Sequence, residues 1–177
     1  MPIPYSEPNS PVTTGTAGFL KFVEENNSIE AALFMISGTG VPLDFSLTKV
    51  DVTSSFLWRK GHSKREAITS LIKVLFDGTS RSPDLILVLA KEVPPQIFAD
   101  DITTQVPLGR ISDESYVIQA ISEETEPFNE STDVIWSTGS PAEGSIARNL
   151  YETLKENGLV LEPFERATIG LEEARNR

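Results

Sequence analysis

The sequence predicts a single α/β domain of the α+β type, with a mixed, mostly antiparallel sheet and two main helices packed on it. Three observations favour this class. Residues 18–52 hold three apolar segments separated by short turns, as in an antiparallel meander. An amphipathic helix pattern follows them, and a continuous apolar segment of strand length comes next. A length of 177 residues suits one domain.

The first predicted strands form a three-stranded meander. Residues 18–24 have the alternating pattern of a strand, with apolar side chains on both faces. Residues 29–36 are a short apolar run. Residues 43–52 alternate apolar with polar side chains. Asn and Gly at 26–27 and 38–40 supply the turns between these strands. The meander argues against a continuous parallel α/β fold.

Two helices and a buried strand follow. Residues 63–77 place four apolar side chains on one helical face, and residues 84–90 form a nearly continuous apolar strand. Ser140 and Glu143 match a capping box, which predicts that a second helix starts there and ends near residues 157–158.

Five further segments have weaker patterns. Residues 102–111, 116–121 and 134–136 are predicted as strands. Residues 159–164 are predicted as an edge strand, because a proline near a strand end is tolerated at an edge. Residues 122–133 are predicted to be an acidic loop.

The chain is predicted to divide into an arm and a domain. Residues 1–16 contain four prolines and no apolar period, which predicts an extended, proline-rich N-terminal arm. Residues 17–177 are predicted to form the single α/β domain, because no internal linker separates them.

Composition excludes several classes of site. The chain has no cysteine and one histidine, which excludes disulfides, thiolate chemistry and histidine-rich metal sites. No segment reads as a signal peptide or a membrane span, so we predict a cytoplasmic protein with no membrane partner. A net charge of −11 disfavours a broad nucleic-acid-binding surface but not a local basic patch. No catalytic residue, metal or cofactor is predicted.

The basic segment, residues 58–65, is the least ordinary part of this acidic chain. It runs into the predicted start of the first helix, where free N–H groups and the helix dipole attract anions. A phosphate-bearing ligand could bind residues 59–65, with an aromatic ring available to stack on a base. The alternative is a solvated loop whose cations pair with the protein's own acids. The candidate binding residues are Trp58, Arg59, Lys60, His62, Lys64 and Arg65.

A second candidate anion site precedes the second predicted helix. Small polar residues between a short strand and a helix start can bind an anion through backbone N–H groups. Neither a dinucleotide fingerprint nor a P-loop motif is present, and helix capping alone explains the serines. The candidates are Ser137, Thr138, Gly139 and Ser140.

Carboxylates on or beside predicted strands are the third candidate. Two-metal nucleases gather such groups at strand ends. The order of meander, helix and strand resembles the ribonuclease-H-like arrangement over roughly the first 90 residues. That resemblance implies a metal-binding Asp at the centre of the first strand, and this chain has none there. The carboxylates concerned are Glu24, Asp44, Asp51, Asp84, Asp100 and Asp101.

The acidic stretch, residues 91–133, completes the functional prediction. It holds ten acids and two bases, a local charge of −8, which suits a basic protein partner or simple solubility. The main prediction is a non-catalytic cytoplasmic subunit or adaptor that binds another protein, and a homo-oligomer stays open. The alternative is a nucleotide- or nucleic-acid-binding module, or a metal-dependent nuclease, that uses residues 59–65 and the strand-end carboxylates.

Overall fold

The computed structural model describes residues 15–52, 62–102, 104–112 and 124–177. They form a seven-stranded sheet with helices on both faces. The strands are β1 Thr16–Glu25, β2 Ser28–Ser37, β3 Pro42–Asp51, β4 Leu85–Leu89, β5 Leu108–Ser112, β6 Glu124–Pro127 and β7 Asp133–Trp136. The helices are α1 His62–Gly78, α2 Ile146–Glu156 and α3 Glu162–Arg175, with a π-helical turn at Ile97–Asp101.

The sheet is mixed and mostly antiparallel, and its strand order is β3-β2-β1-β4-β5-β7-β6. β1, β2 and β3 form the predicted antiparallel meander. β4 lies parallel to β1 and to β5, whereas β7 lies antiparallel to β5 and to β6. The predicted fold class is therefore confirmed, and its parallel strands lie at the centre of the sheet.

Each face of the sheet has its own apolar core. Alternate residues of a strand point to opposite faces, so Leu20 and Phe22 of β1 pack towards α1, and Phe19 packs towards α3. Four buried side chains of α1 cover the first face: Ile68, Leu71, Ile72 and Leu75. α2 and α3 together cover the second face.

The structure corrects the predicted start of the second helix. α2 begins at Ile146, and Ser145 is its N-cap, accepting a hydrogen bond from the Arg148 backbone N–H at 3.2 Å. Ser140 lies outside the helix, because its backbone N–H donates to Glu124 at 2.9 Å. A capping-box pattern five residues early therefore predicted the wrong cap.

The predicted edge strand at 159–164 is also wrong, because the chain turns there and enters a third helix. Pro163 lies in the first turn of α3, a position where its missing N–H costs nothing. Phe164, Ala167 and Leu171 recur at helical spacing and are buried against the sheet. The apolar period that continues past residue 164 overrides the strand pattern.

Four other segments complete the comparison with the predictions. Residues 124–127 of the predicted acidic loop form the edge strand β6, and residues 108–112 form β5. The predicted strand at 116–121 and residues 1–14 of the predicted arm lie outside the described residues. No helix in the described ranges is long and apolar enough to cross a membrane.

Candidate functional site

A partly buried ion pair joins the middle of β1 to the turn that follows β4. Lys21 lies in the middle of β1, and its Nζ donates to Glu92 Oε2, in the turn after β4. The other oxygen of Glu92 accepts the backbone N–H of Phe22 at 3.2 Å. The side chains of the pair are only 15% and 12% exposed, so both charges depend on each other for compensation.

A cleft of about 310 Å³ opens beside this pair on the α3 face of the sheet. Lys21 and Lys91 contribute its two lysines, and Ser112, Thr132 and Thr168 contribute hydroxyl groups. Its apolar wall comes from Leu89, Ile111, Leu161 and Phe164, and Glu165 adds one carboxylate. This cleft combines a shaped apolar wall with cationic and hydroxyl groups, the mixture typical of ligand sites.

A second cleft, of about 300 Å³, opens on the α1 face of the same strand ends. Lys64 of α1 lines it, and Lys91 lines both clefts. Glu24 and Glu92 supply its carboxylates, and Lys64 Nζ donates to Glu24 at 2.8 Å. We call the group of Lys21, Lys64 and Lys91 the lysine edge.

The lysine edge lies at the carboxyl ends of β1 and β4. From β1 the chain proceeds to β2 and β3 on one side, whereas β5 follows β4 on the other side. In open α/β sheets, the carboxyl ends of parallel strands at such a reversal of strand order are where ligands bind. The topology therefore gives the two clefts the position expected of a binding site.

The structure describes only part of the predicted basic segment. Lys64 borders the second cleft, and Arg65 forms two hydrogen bonds with Asp101, at 2.6 and 2.8 Å. Trp58, Arg59 and Lys60 lie outside the described residues. His62 is the first residue of α1, which places the end of the segment beside the lysine edge.

The second predicted anion site has internal hydrogen bonds. Thr138 Oγ1 accepts the backbone N–H of Leu108 at 3.3 Å, and the backbone N–H of Ser137 donates to Leu108 at 3.0 Å. Ser140 donates its backbone N–H to Glu124 and accepts a hydrogen bond from Arg148. Gly139 has a left-handed φ of 87°. These bonds fasten the loop to β5, β6 and α2.

The strand-end carboxylates are spread over the fold. Asp84 accepts the Thr16 backbone N–H at the start of β1, whereas Glu24 lies eight residues later, roughly 25 Å along the strand. Asp101 pairs with Arg65 of α1. Asp44 accepts a hydrogen bond from the Thr79 side chain, and the exposed Asp51 ends β3. The predicted carboxylates do not meet at one metal position.

The described residues at the lysine edge do not fit a divalent cation. The ribonuclease-H-like resemblance implies a carboxylate at the centre of the first strand, and here that place holds the ammonium group of Lys21. Ca²⁺ and Mg²⁺ prefer oxygen ligands, and an ammonium group repels them. Within the ranges that the structure covers, no three His, Asp or Glu side chains group into a metal site.

The sequence patterns did not single out Lys21, Lys91 and Glu92. One charged residue inside an alternating strand carries little signal, and Lys21 and Glu92 are 71 positions apart. Only the parallel pairing of β1 with β4 brings them together. A prediction of that pairing, rather than a motif, would have found the pair.

Comparison with solved structures identifies the fold. The Bacillus subtilis Endonuclease_V structure matches with a TM-score of 0.59 and 10% identity, over 93% of this chain and 82% of that one. The Streptomyces avermitilis endonuclease V structure matches with a TM-score of 0.58 and 14% identity, over 96% and 85%. No family model matches this sequence, and no curated protein matches it.

A third match is a complex with nucleic acid. Ciona intestinalis endonuclease V, solved with a 24mer DNA containing an inosine followed by a ribo-adenosine, has a TM-score of 0.50 and 7% identity. The match covers 89% of this chain and 87% of that one. At these identities the likeness establishes a shared fold.

These structures overturn the main functional prediction. The prediction of a non-catalytic subunit that works by protein–protein binding is wrong, because the solved structures that match this fold include three of endonuclease V, one of them bound to DNA. A basic protein as partner of the acidic stretch 91–133 is wrong for the same reason. Carboxylates of this stretch form ion pairs within the protein, since Glu92 pairs with Lys21, and Glu126 pairs with Arg148. The fold agrees with the nucleic-acid alternative.

Proposed function

We propose that this chain is a nucleic-acid-binding protein with the endonuclease V fold, and that the lysine edge is its binding surface. The observation that carries the proposal is the position of Lys21, Lys64 and Lys91 around two adjoining clefts at the central strand ends. Phosphate backbones are bound chiefly through such clustered cations. The DNA-bound structure of the same fold supports the choice of ligand.

The charge of the whole chain sharpens this proposal. A net charge of −11 repels nucleic acid at long range, so binding must come from a local basic surface. The α1 N-terminus adds its dipole beside Lys64, which favours a phosphate at this edge. We include Trp58, Arg59 and Lys60 in the proposed surface because they lie shortly before α1 in the sequence.

A cytoplasmic location belongs to this proposal. The absence of cysteine agrees with a reducing compartment, where nucleic-acid-binding proteins of this size need no disulfides.

Fluorescence anisotropy with a labelled 24mer DNA, single-stranded and duplex, tests the proposal. Binding should appear at low salt and weaken linearly on a plot of log affinity against log salt concentration. Lys64→Ala and Lys91→Ala should each weaken binding to every sequence and reduce the salt slope by about one. The matched control is Lys155→Ala, an exposed lysine on α2, which should leave both values unchanged.

Two results would contradict the proposal. One is the absence of salt-sensitive binding to either form of DNA and to an RNA of the same sequence. The other is equal loss of affinity in Lys64→Ala, Lys91→Ala and Lys155→Ala, because binding would then follow total charge rather than the lysine edge. Circular dichroism of each variant confirms that the fold is retained.

A further inference from the structure

The Lys21–Glu92 pair lies at the centre of the first strand, where the ribonuclease-H-like resemblance implies a metal-binding carboxylate. Lys21 projects from the middle of β1, and Glu92 reaches it from the turn after β4. Carboxylates placed at those two points would share one site between parallel strands. In this chain the site already contains one positive charge, fixed by covalent attachment to β1.

Glu92 is fully engaged by these contacts. Its two oxygens accept the Lys21 ammonium group and the Phe22 backbone N–H, the latter at 3.2 Å. β4 ends at Leu89, so it offers no strand residue opposite Phe22. The Glu92 carboxylate accepts the Phe22 backbone N–H in its place. A divalent cation would have to displace an ammonium group that is mostly buried, and would leave that charge unpaired.

We infer that the ammonium group of Lys21 takes the place of a divalent cation, so that nucleic acid binds the lysine edge without a metal ion. The inference rests on the proposed function for the ligand and on the Lys21–Glu92 pair for the mechanism. Among the described residues, no cluster of carboxylates at this edge could hold a metal ion for hydrolysis of a phosphodiester bond. The positive charge that meets the phosphates then comes from lysine side chains alone, whatever the metal concentration.

The first experiment measures the metal directly. Isothermal titration of the wild-type chain with Mn²⁺ should show no stoichiometric binding. Lys21→Asp places two carboxylates at the site and should bind one Mn²⁺ per chain. The double variant Lys21→Asp with Glu92→Gln should lose that gain. Stoichiometric Mn²⁺ binding by the wild type, or a folded Lys21→Asp that gains none, would overturn the inference.

The second experiment compares DNA affinity in EDTA and in Mg²⁺ at matched ionic strength. Mg²⁺ should not strengthen binding of the 24mer by the wild type, because it then acts only as a counterion that competes for the DNA phosphates. An affinity that requires Mg²⁺, or Mg²⁺-dependent cleavage of the inosine-containing 24mer, would refute the inference. These wild-type measurements decide the question by themselves if Lys21→Asp does not fold.

The two proposals fail in different ways. Absence of DNA binding in both EDTA and Mg²⁺ contradicts the proposed function, while the Mn²⁺ titration still reports on the pair. DNA binding that depends on Mg²⁺ supports the proposed function and contradicts the metal-free mechanism.

Discussion

Gly109 on β5 lies opposite Trp136 on β7, and the indole ring covers the glycine so closely that no side chain fits between them. A Cβ at Gly109 would lie 3.0 Å from Trp136 Cζ3, 2.9 Å from Val134 Cγ1 and 3.0 Å from Leu87 Cδ2. All three neighbours are buried. Because Gly109 has no side chain, these three neighbours can pack directly against the β5 backbone.

Gly109→Ala should lower the free energy of unfolding by about 2 kcal/mol, because the added methyl group overpacks a rigid core. Urea denaturation followed by tryptophan fluorescence measures the change. The matched control is Gly78→Ala at the end of α1, where nothing lies within 4 Å of the added Cβ. A Gly109→Ala variant as stable as Gly78→Ala would show that the Trp136 ring moves freely.

Arg148 ties the edge strand β6 to α2. Its guanidinium contacts both oxygens of Glu126, at 2.9 and 3.2 Å, and lies 5.8 Å from the Trp136 ring centroid. Arg148→Met should reduce stability by about 1–2 kcal/mol, because it leaves the partly buried Glu126 carboxylate without its main partner.

Thermal and urea unfolding of Arg148→Met measure that loss. Arg81→Met, at an exposed arginine, is the control and should stay within about 0.5 kcal/mol of the wild type. Equal stability of the two variants would mean that the Arg148 contacts contribute nothing net, as exposed pairs often do.

The sequence predicted most of the fold because periodicity is a local signal. β1, β2, β3, α1 and β4 each follow a local apolar pattern, and the structure confirms these elements. One miss is the predicted acidic loop, part of which forms β6. The others lie between residues 140 and 164, where capping residues and a proline suit more than one element. Ser140 fits a cap by spacing, but its hydrogen bond to Glu124 is a tertiary contact that spacing does not reveal.

The candidate site was less predictable, because its residues meet through contacts that a local signal does not reveal. Lys64 could be proposed from the sequence because it belongs to a run of cations. Lys21 and Lys91 are isolated in the sequence and meet only through the pairing of β1 with β4. Pairing between distant strands depends on the whole sheet, so the residues at its carboxyl edge emerge only once the topology is known.

The interaction of Asp101 with Arg65, at the start of α1, contributes stability that is lost in acid. The hydrogen bonds from Arg65 hold the pKa of Asp101 below its usual value. A lowered folded-state pKa stabilises the protein at pH values above the unfolded-state pKa, about 4, and the contribution disappears as pH falls through the folded-state value. Asp101→Asn should therefore be less stable than the wild type at neutral pH, and the difference should shrink in acid.

A double-mutant cycle with Arg65→Met, by urea unfolding from about pH 7 down to about pH 3, checks this expectation. The coupling between Arg65 and Asp101 should be present at neutral pH and decline below about pH 4. A coupling that stays constant over the whole range would show that the carboxylate charge does not sustain the interaction.

Tyr151 places a hydroxyl group in the second core without a hydrogen-bond partner among the described residues. Its ring packs edge-to-face against Trp136, with centroids 5.3 Å apart. Tyr151→Phe keeps this packing and removes the unsatisfied oxygen, so stability at neutral pH should change by less than about 0.5 kcal/mol or rise. Tyr151→Ala, the control for the ring itself, should lose about 3–5 kcal/mol.

Measurements at alkaline pH distinguish the contribution of the Tyr151 hydroxyl group from that of its ring. Burial raises the pKa of Tyr151 well above its usual value, so the folded protein keeps this phenol protonated while the unfolded chain ionises it above about pH 10. The stability of the wild type should therefore fall as pH rises past that value, and Tyr151→Phe should lose less. Absorbance of tyrosinate, compared between the two proteins, measures the ionisation. A Tyr151 phenol that titrates near pH 10 in the folded protein would show that water reaches the second core.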